Sequence, residues 1–332
     1  MSRVVPLNAP ASVRAGEAPP PVALPSLTVE IAGIRFAHPI LSASGPLGFG
    51  RELQSVLDLR AFAGFVTKSV TVEPRGGNPR PQVVPTEAGW LNSVGLANHG
   101  LAVFLTKELP FLRTLGVPII VSLAGETLQE FRTLAEWLSA ESAIAGLELN
   151  VSCPNVMRGL AFGVDPHMTY ELVHSVREIS RLPLVVKLTP NVTDIRVIAR
   201  AAEDAGADAL ALINTVMGMA IDVQTRRPKL GTPTGGLSGP AIKPIAVRMV
   251  WQVAQTCHLP VIGLGGIATA DDVVEFLLAG ASAVAIGSAA IDRPRIATEL
   301  HDGVRQYMLD HGVADLRQLV GALDAAAHRG DA

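Results

Sequence analysis

The sequence predicts a TIM (β/α)8 barrel, and three observations predict it. Eight short runs rich in Val, Ile, Leu and Ala recur along the chain, at residues 38–44, 64–70, 118–125, 146–152, 183–189, 207–215, 260–266 and 282–288. They are almost wholly apolar rather than alternating, as parallel strands covered on both faces must be. Helical segments lie between them, and 332 residues suffice for one such barrel. A doubly wound sheet is the competing architecture, but no GxGxxG follows the first run.

Taken in order, residues 1–25 are rich in Pro, Ala and Gly and lack the apolar stretch of a secretory signal. They read as a disordered or extended N-terminal arm, leaving 26–332 as one barrel domain. "SLTVEIAGIRF" (26–36) reads as an N-terminal β-hairpin ahead of the barrel. Helices are expected at 127–142, 193–207, 241–257 and 269–281, where apolar residues fall at helical spacing and Thr or Asp stands near several of the starts. The connections after strands 2 and 6, residues 71–100 and 216–240, are long loops rich in Pro and Gly. Loops of that length are usually functional, and both leave strand C-termini, the face on which barrel active sites form.

Composition narrows the function. Hydrophobic residues make up 48% and charged residues 17%, and the net charge of -3 offers no footprint for nucleic acid or anionic membrane. The two cysteines form no CxxC, and the eight histidines show no HxxxH or HExxH, so no metal site is expected. No apolar run is long enough to cross a bilayer, which points to a cytoplasmic protein without membrane contact.

The chemistry gathers at the predicted strand ends. "GLGGI" (263–267) and "IGS" (286–288) end strands seven and eight, where barrels commonly hold a phosphate on closely approaching backbone N–H groups. Gly265, Gly266, Gly287 and Ser288 are the candidates. Lys68 and Lys187 also end strands. Such lysines ordinarily reach solvent, but two on one rim suit charge that grows on a cofactor ring or an enolate. Asn92, Asn150, Asn155 and Asn214 fall at the same end. Each alone reads as a turn residue, whereas together their amides suit a planar ring bearing carbonyls and N–H groups.

Cys153, in "ELNVSCPN" (148–155), is the sharpest signal. Most cysteines are small buried hydrophobes, and Cys257, ending an apolar helix, is read that way. Cys153 instead stands on an irregular segment after strand four, and Pro154 limits its freedom. Its thiol could act as nucleophile or general base, and the lack of a neighbouring histidine favours proton abstraction.

These residues together resemble the dihydroorotate dehydrogenases across roughly residues 27–300, in "SASGPLGFGRE", "VTKSVTVEPRGGNPRP", "LNSVGLANHG", "ELNVSCPN", "VVKLTPNVTDI", "LINTVMGMAID", "TGGLSGPAIKPIAVRMV" and "GLGGIATADDVVEFLLAGASAVAIGSA". Cysteine instead of serine in the SCPN loop resembles class 1, and "TKSVTVEPRGGNPRP" and "TGGLSGPAIKP" look most like the class 1B catalytic subunit. The resemblance implies an FMN-binding barrel that oxidises (S)-dihydroorotate to orotate in pyrimidine biosynthesis. It implies FMN contacts from Ser44, Lys68, Ser69, Asn150, Lys187, Ile213 and Gly239, with the phosphate on Gly265, Gly266, Gly287 and Ser288. Substrate would be held by Lys68, Asn92, Ser93, Val94, Gly95, Leu96, Asn150, Asn214 and Thr215, with Asn155 beside the catalytic loop. Cys153 would take the C5 proton as hydride leaves C6 for flavin N5. Three positions depart from the family's pattern: Ser122 stands where an asparagine contacts the flavin, Gln82 where an arginine is usual, and Trp90 where methionine is usual.

The electrons need an outlet that this chain does not encode, because it lacks the cysteines for a cluster and a dinucleotide fingerprint. Class 1B implies a homodimer core joined by a subunit carrying FAD and a 2Fe–2S cluster, a heterotetramer that delivers electrons to NAD. A class 1A enzyme using fumarate and a dihydropyrimidine dehydrogenase-like enzyme are the alternatives. A tRNA-dihydrouridine synthase would need a basic surface that the net charge of -3 argues against, and a flavin- or phosphate-binding module without turnover would not need Cys153.

Overall fold

The computed structural model describes residues 24–151 and 160–325. The predicted arm, apart from its last two residues, together with Cys153 and Asn155, lies outside the described residues. Two strands, β1 (Val29–Ile31) and β2 (Ile34–Phe36), form the expected antiparallel hairpin. Ala32 and Gly33 between them take φ of 52° and 78°, the two positive values that a tight hairpin turn matched to strand twist requires. Val29, Ile31, Ile34 and Phe36 turn inward and are buried. Phe36 packs against Gly64 and Ile34 against Gly146, so the hairpin plugs the end of the barrel where the strands begin.

The barrel strands are β3 (Ile40–Ser42), β4 (Phe65–Val66), β7 (Ile119–Leu123), β8 (Gly146–Asn150), β9 (Leu184–Lys187), β10 (Ala209–Leu212), β15 (Val261–Gly263) and β16 (Ala283–Ile286). All run parallel, and each of the eight falls within its predicted run. β3 and β4, the ends of the sheet order, meet to close the barrel. Ala63 N–H donates to Ile40 O at 2.9 Å and Ser42 N–H to Gly64 O at 3.1 Å. The Ser42 hydroxyl accepts from Val66 N–H at 2.8 Å and reaches Val66 O at 3.3 Å, so a side chain completes the seam.

The four predicted helices form. Helix Leu128–Ser139 starts at a reciprocal cap, Thr127 accepting from Glu130 N–H while the Glu130 carboxylate accepts from Thr127 N–H. Helix Ala270–Leu278 starts the same way on Thr269 and Asp272, and Asp194 caps helix Ile195–Asp204. Helix Lys243–Ala254 follows a 3-10 turn at Pro240–Ile242. Helices Pro166–Arg177 and Ile296–Asp310 complete the outer layer with the helical turns of 100–115.

The long connections leave the barrel after its second and sixth strands as predicted, but they are more ordered than loops. β5 (Val83–Thr86) and β6 (Gly89–Asn92) from the first pair with β11 (Val216–Gly218) and β14 (Gly235–Ser238) from the second. The result is an antiparallel sheet in the order β11-β14-β6-β5 over the strand C-termini. A small hairpin, β12 (Ile221–Asp222) with β13 (Arg227–Pro228), projects beyond it. The sheet accepts glycine because backbones approach closely there: a Cβ on Gly236 would stand 2.1 Å from Thr215 Oγ1.

Candidate active site

A pocket of about 420 Å³ opens between the strand C-termini and this cap sheet. Period-two alternation turns the ends of β8, β9 and β10 toward it, so Asn150, Lys187 and Ile213 line the floor. Ser44, Lys68 and Ser69 join them from β3 and β4. Gly239, Gly265, Gly266, Gly287 and Ser288 also line it, and Asn92, Val94, Gly95, Leu96, Asn214 and Thr215 come from the roof and rim. Elements far apart in sequence thus bring the predicted residues to one place.

The floor is tied by side chains. Asn150 Nδ2 donates to Ser69 Oγ at 3.0 Å, and Asn214 Nδ2 donates to Asn150 Oδ1 at 3.2 Å. Thr215 N–H donates to Asn214 Oδ1 at 2.8 Å, which fixes the orientation of that amide. Lys187, almost fully buried, donates from Nζ to Ser44 Oγ at 3.2 Å. Burial holds the Lys68 ammonium below the ordinary lysine pKa, partly offset by the Glu52 carboxylate. A desolvated ammonium at a pocket wall gains from any anionic charge placed beside it.

The glycine side is an anion cradle. Among the described residues, the backbone N–H groups of Gly265, Gly266, Gly287 and Ser288 meet no hydrogen-bond acceptor. Gly265 and Gly266 take φ of 127° and 80°. A Cβ on Gly266 would stand 2.7 Å from Lys243 Cβ and 2.8 Å from Gly239 O, so only glycine permits this approach. Four donors on one pocket wall fit a phosphate group. Ala43, Leu264 and Ala285 add apolar surface to the same pocket, which suits a ring system joined to a phosphate.

Ser93 does not line the pocket, unlike its neighbours. Its hydroxyl accepts from Asn78 Nδ2 at 2.9 Å and from Thr232 Oγ1 at 2.7 Å, joining the two long connections. Of the three departures, Ser122 is buried beneath the floor with its Oγ 3.0 Å from Ser69 Oγ. It thereby supports the floor through Ser69 instead of facing the pocket. Gln82 donates from Nε2 to Asn78 O at 2.6 Å within the first connection. Trp90 forms part of the pocket wall.

Sequence reasoning missed Asn191, which donates to Thr215 O at 3.0 Å and accepts from Met217 N–H at 2.8 Å, anchoring the cap beside Asn214. Its place in "KLTPN" after strand five was the available signal. It also missed the apolar wall, although Ala285 lies two residues before Gly287 and therefore on the same face of the chain. No helix among the described residues is long and apolar enough to cross a membrane.

The family profile described as "Dihydroorotate dehydrogenase" matches residues 26–308. The chain is 52% identical over 300 residues to "Dihydroorotate dehydrogenase B (NAD(+)), catalytic subunit" of Geotalea uraniireducens (strain Rf4), covering 90% of this chain and 98% of that one. It is 50% identical over 303 residues to the protein of the same name from Geotalea daltonii, covering 91% and 99%. A third, from Desulforudis audaxviator, is 52% identical over 302 residues, covering 91% and 97%. Agreement of this extent spans the hairpin, the barrel and both halves of the cap sheet, and on it the chain belongs to the dihydroorotate dehydrogenase family.

Proposed function

We propose that this chain is an FMN-dependent enzyme that oxidises (S)-dihydroorotate to orotate in pyrimidine biosynthesis, with residues 26–332 as its FMN-binding barrel domain. One observation carries the reading: four backbone N–H donors without an acceptor among the described residues line one pocket with the polar side chains of Lys68, Asn150 and Lys187. Gly265, Gly266, Gly287 and Ser288 would hold the FMN phosphate, and Ser44, Lys68, Ser69, Asn150, Lys187, Ile213 and Gly239 would surround the rest. FMN bound there supplies the hydride acceptor.

The chain's own residues do the remaining work. Dihydroorotate would be held by Lys68, Asn92, Val94, Gly95, Leu96, Asn150, Asn214 and Thr215, with Asn155 nearby. Cys153, three residues beyond Asn150 in sequence, takes the C5 proton. That proton is α to a carbonyl, so its removal builds enolate charge, which amide and ammonium donors fixed in advance stabilise. The Asn214–Asn150–Ser69 chain keeps those amides oriented before substrate arrives.

The relatives' shared name supports NAD as final acceptor and a second subunit as the route to it. That subunit carries FAD and a 2Fe–2S cluster and joins a homodimer of this chain in a cytoplasmic heterotetramer. The test is stopped-flow reduction followed by an acceptor screen. The isolated chain should release FMN on denaturation and bleach its flavin with dihydroorotate, and NAD should be reduced only after the partner subunit is added. A chain that cannot be loaded with FMN would sink the reading. Rapid turnover of the lone chain with fumarate would instead move it to class 1A.

A further inference from the structure

Among the described residues, Trp90 is the one large aromatic side chain in the pocket wall. It stands half-buried on β6, and Val83 on the paired strand β5 and Ile291 beside Asp292 also line the pocket and are exposed. The indole therefore belongs to a part of the wall that borders solvent. Its Nε1–H donates to Asp292 Oδ2 at 3.2 Å. Asp292 closes the short helix Ala289–Asp292 that directly follows Gly287 and Ser288. Among the described residues, this is the only hydrogen bond joining the cap sheet to the segment after β16. On the far side the cap is held by Asn191, through Thr215 O and Met217 N–H. Besides the backbone bond from Ala241 N–H to Ala88 O, these side chains pin the roof at two places, and one pin is a tryptophan whose ring is itself part of the wall.

Methionine, which the family's pattern leads one to expect here, could fill the same space but could not donate to Asp292. The carboxylate restricts the indole to the orientation that covers the pocket, and a planar aromatic wall suits a planar ring behind it. We propose that Trp90, fixed by Asp292, is the residue that retains the cofactor: the indole forms the outer wall beside the bound flavin, and the tether sets how fast that wall opens. The proposal rests on the FMN reading of the same pocket.

The test is the rate at which FMN leaves the loaded protein on dilution, followed by recovery of flavin fluorescence. Asp292→Ala removes the acceptor, and Trp90→Phe removes the donor while keeping an aromatic wall. Each should speed release roughly fivefold to tenfold, the effect expected for one solvent-exposed hydrogen bond. The double variant should release no faster than either single variant, because both remove the same bond. Asp292→Asn keeps an acceptor oxygen and should restore slow release. Thermal midpoints of the FMN-free forms should not move, which separates the tether from a general loss of fold. Additive effects, or release from Asp292→Ala at the wild-type rate, would overturn the tether alone. Failure of the wild-type chain to bind FMN would overturn the tether and the cofactor reading together.

Discussion

The hydroxyls of Ser69 and Ser122 stand 3.0 Å apart beneath the pocket floor, Ser69 on the chain after β4 and Ser122 on the neighbouring β7. Ser69 also accepts from Asn150, so a fully buried serine steadies an amide that it does not touch. Replacing Ser122 with Ala should leave the fold intact and weaken FMN binding by about threefold to tenfold, the worth of one neutral hydrogen bond. Ser122→Asn introduces a larger group at a fully buried position, and overpacking there should cost about 1–3 kcal/mol of stability. Flavin titration and thermal melts of both variants would decide the matter. Unchanged affinity in Ser122→Ala would show that Asn150 is oriented without it.

The two cysteines should differ sharply. Burial, aided by the Glu203 carboxylate, pushes the Cys257 thiol up to about 12, so it should resist alkylation in the folded protein. Iodoacetamide at neutral pH should modify Cys153, mapped by peptide mass spectrometry. Cys153→Ala should bind FMN yet slow flavin reduction by roughly 10²–10⁴-fold, the range for a lost general base. Cys153→Ser should recover part of that rate at higher pH, since a hydroxyl is the weaker acid. Wild-type reduction by either variant would remove Cys153 from its role.

Two glycines with similar backbone angles make a controlled comparison. Gly33 has φ of 78° with nothing within 4 Å of an added Cβ, whereas Gly266 has φ of 80° and three atoms closer than 3.0 Å. Gly33→Ala should cost only the left-handed strain, about 1–2 kcal/mol. Gly266→Ala should cost a further ~1–3 kcal/mol, because Lys243 and Gly239 must shift. It should also weaken FMN binding, which Gly33→Ala should not. Equal melting temperatures for the two variants would contradict this account.

His38 gives a pH dependence remote from the pocket. Burial first, then the neighbouring His301 ring and Arg305, lowers its pKa from 6.5 to about 4. Its Nδ1 accepts from Ile40 N–H at 3.3 Å, which requires the unprotonated atom. Between those values the unfolded chain binds the proton and the folded chain does not, so stability rises with pH across that window. The contribution is complete above about pH 6.5 and is lost as pH falls towards 4, on the order of 3 kcal/mol in all. Urea melts of wild type and His38→Gln from pH 4 to 7.5 should show the wild type losing stability more steeply on acidification. Parallel curves would rule out His38 as the source.

Much of the site was legible because strand ends are simple. Lys68, Asn150, Lys187 and Asn214 each follow an apolar run, and parallel strands of a barrel deliver such residues to one rim. The cap sheet was not legible. β14 reads Gly-Gly-Leu-Ser and β5 contains proline, so neither has the composition of a strand; β14 is ordered by β6 from the other connection, and β5 is the edge strand laid against β6. Ser93 shows the corresponding limit for side chains. Its neighbours Asn92 and Val94 line the pocket, and nothing local reveals that its own hydroxyl turns to Asn78 and Thr232.

The cap sheet has a consequence for how the molecule is made. Asn92 on β6 donates to Gly236 on β14 across 144 residues of sequence, and Trp90 meets Asp292 across 202. A growing chain orders its N-terminal portion first, and contacts this distant wait for the later strands. The first half of the roof therefore emerges from the ribosome long before anything exists for it to pair with. Chains stalled near residue 230 should be unable to capture the flavin, whereas full-length chains held on the ribosome by a long linker should capture it. Equal labelling of the two by fluorescent flavin would overturn that order. The same spacing makes cofactor loading a late quality check: a chain that holds its flavin has brought both ends of its barrel together.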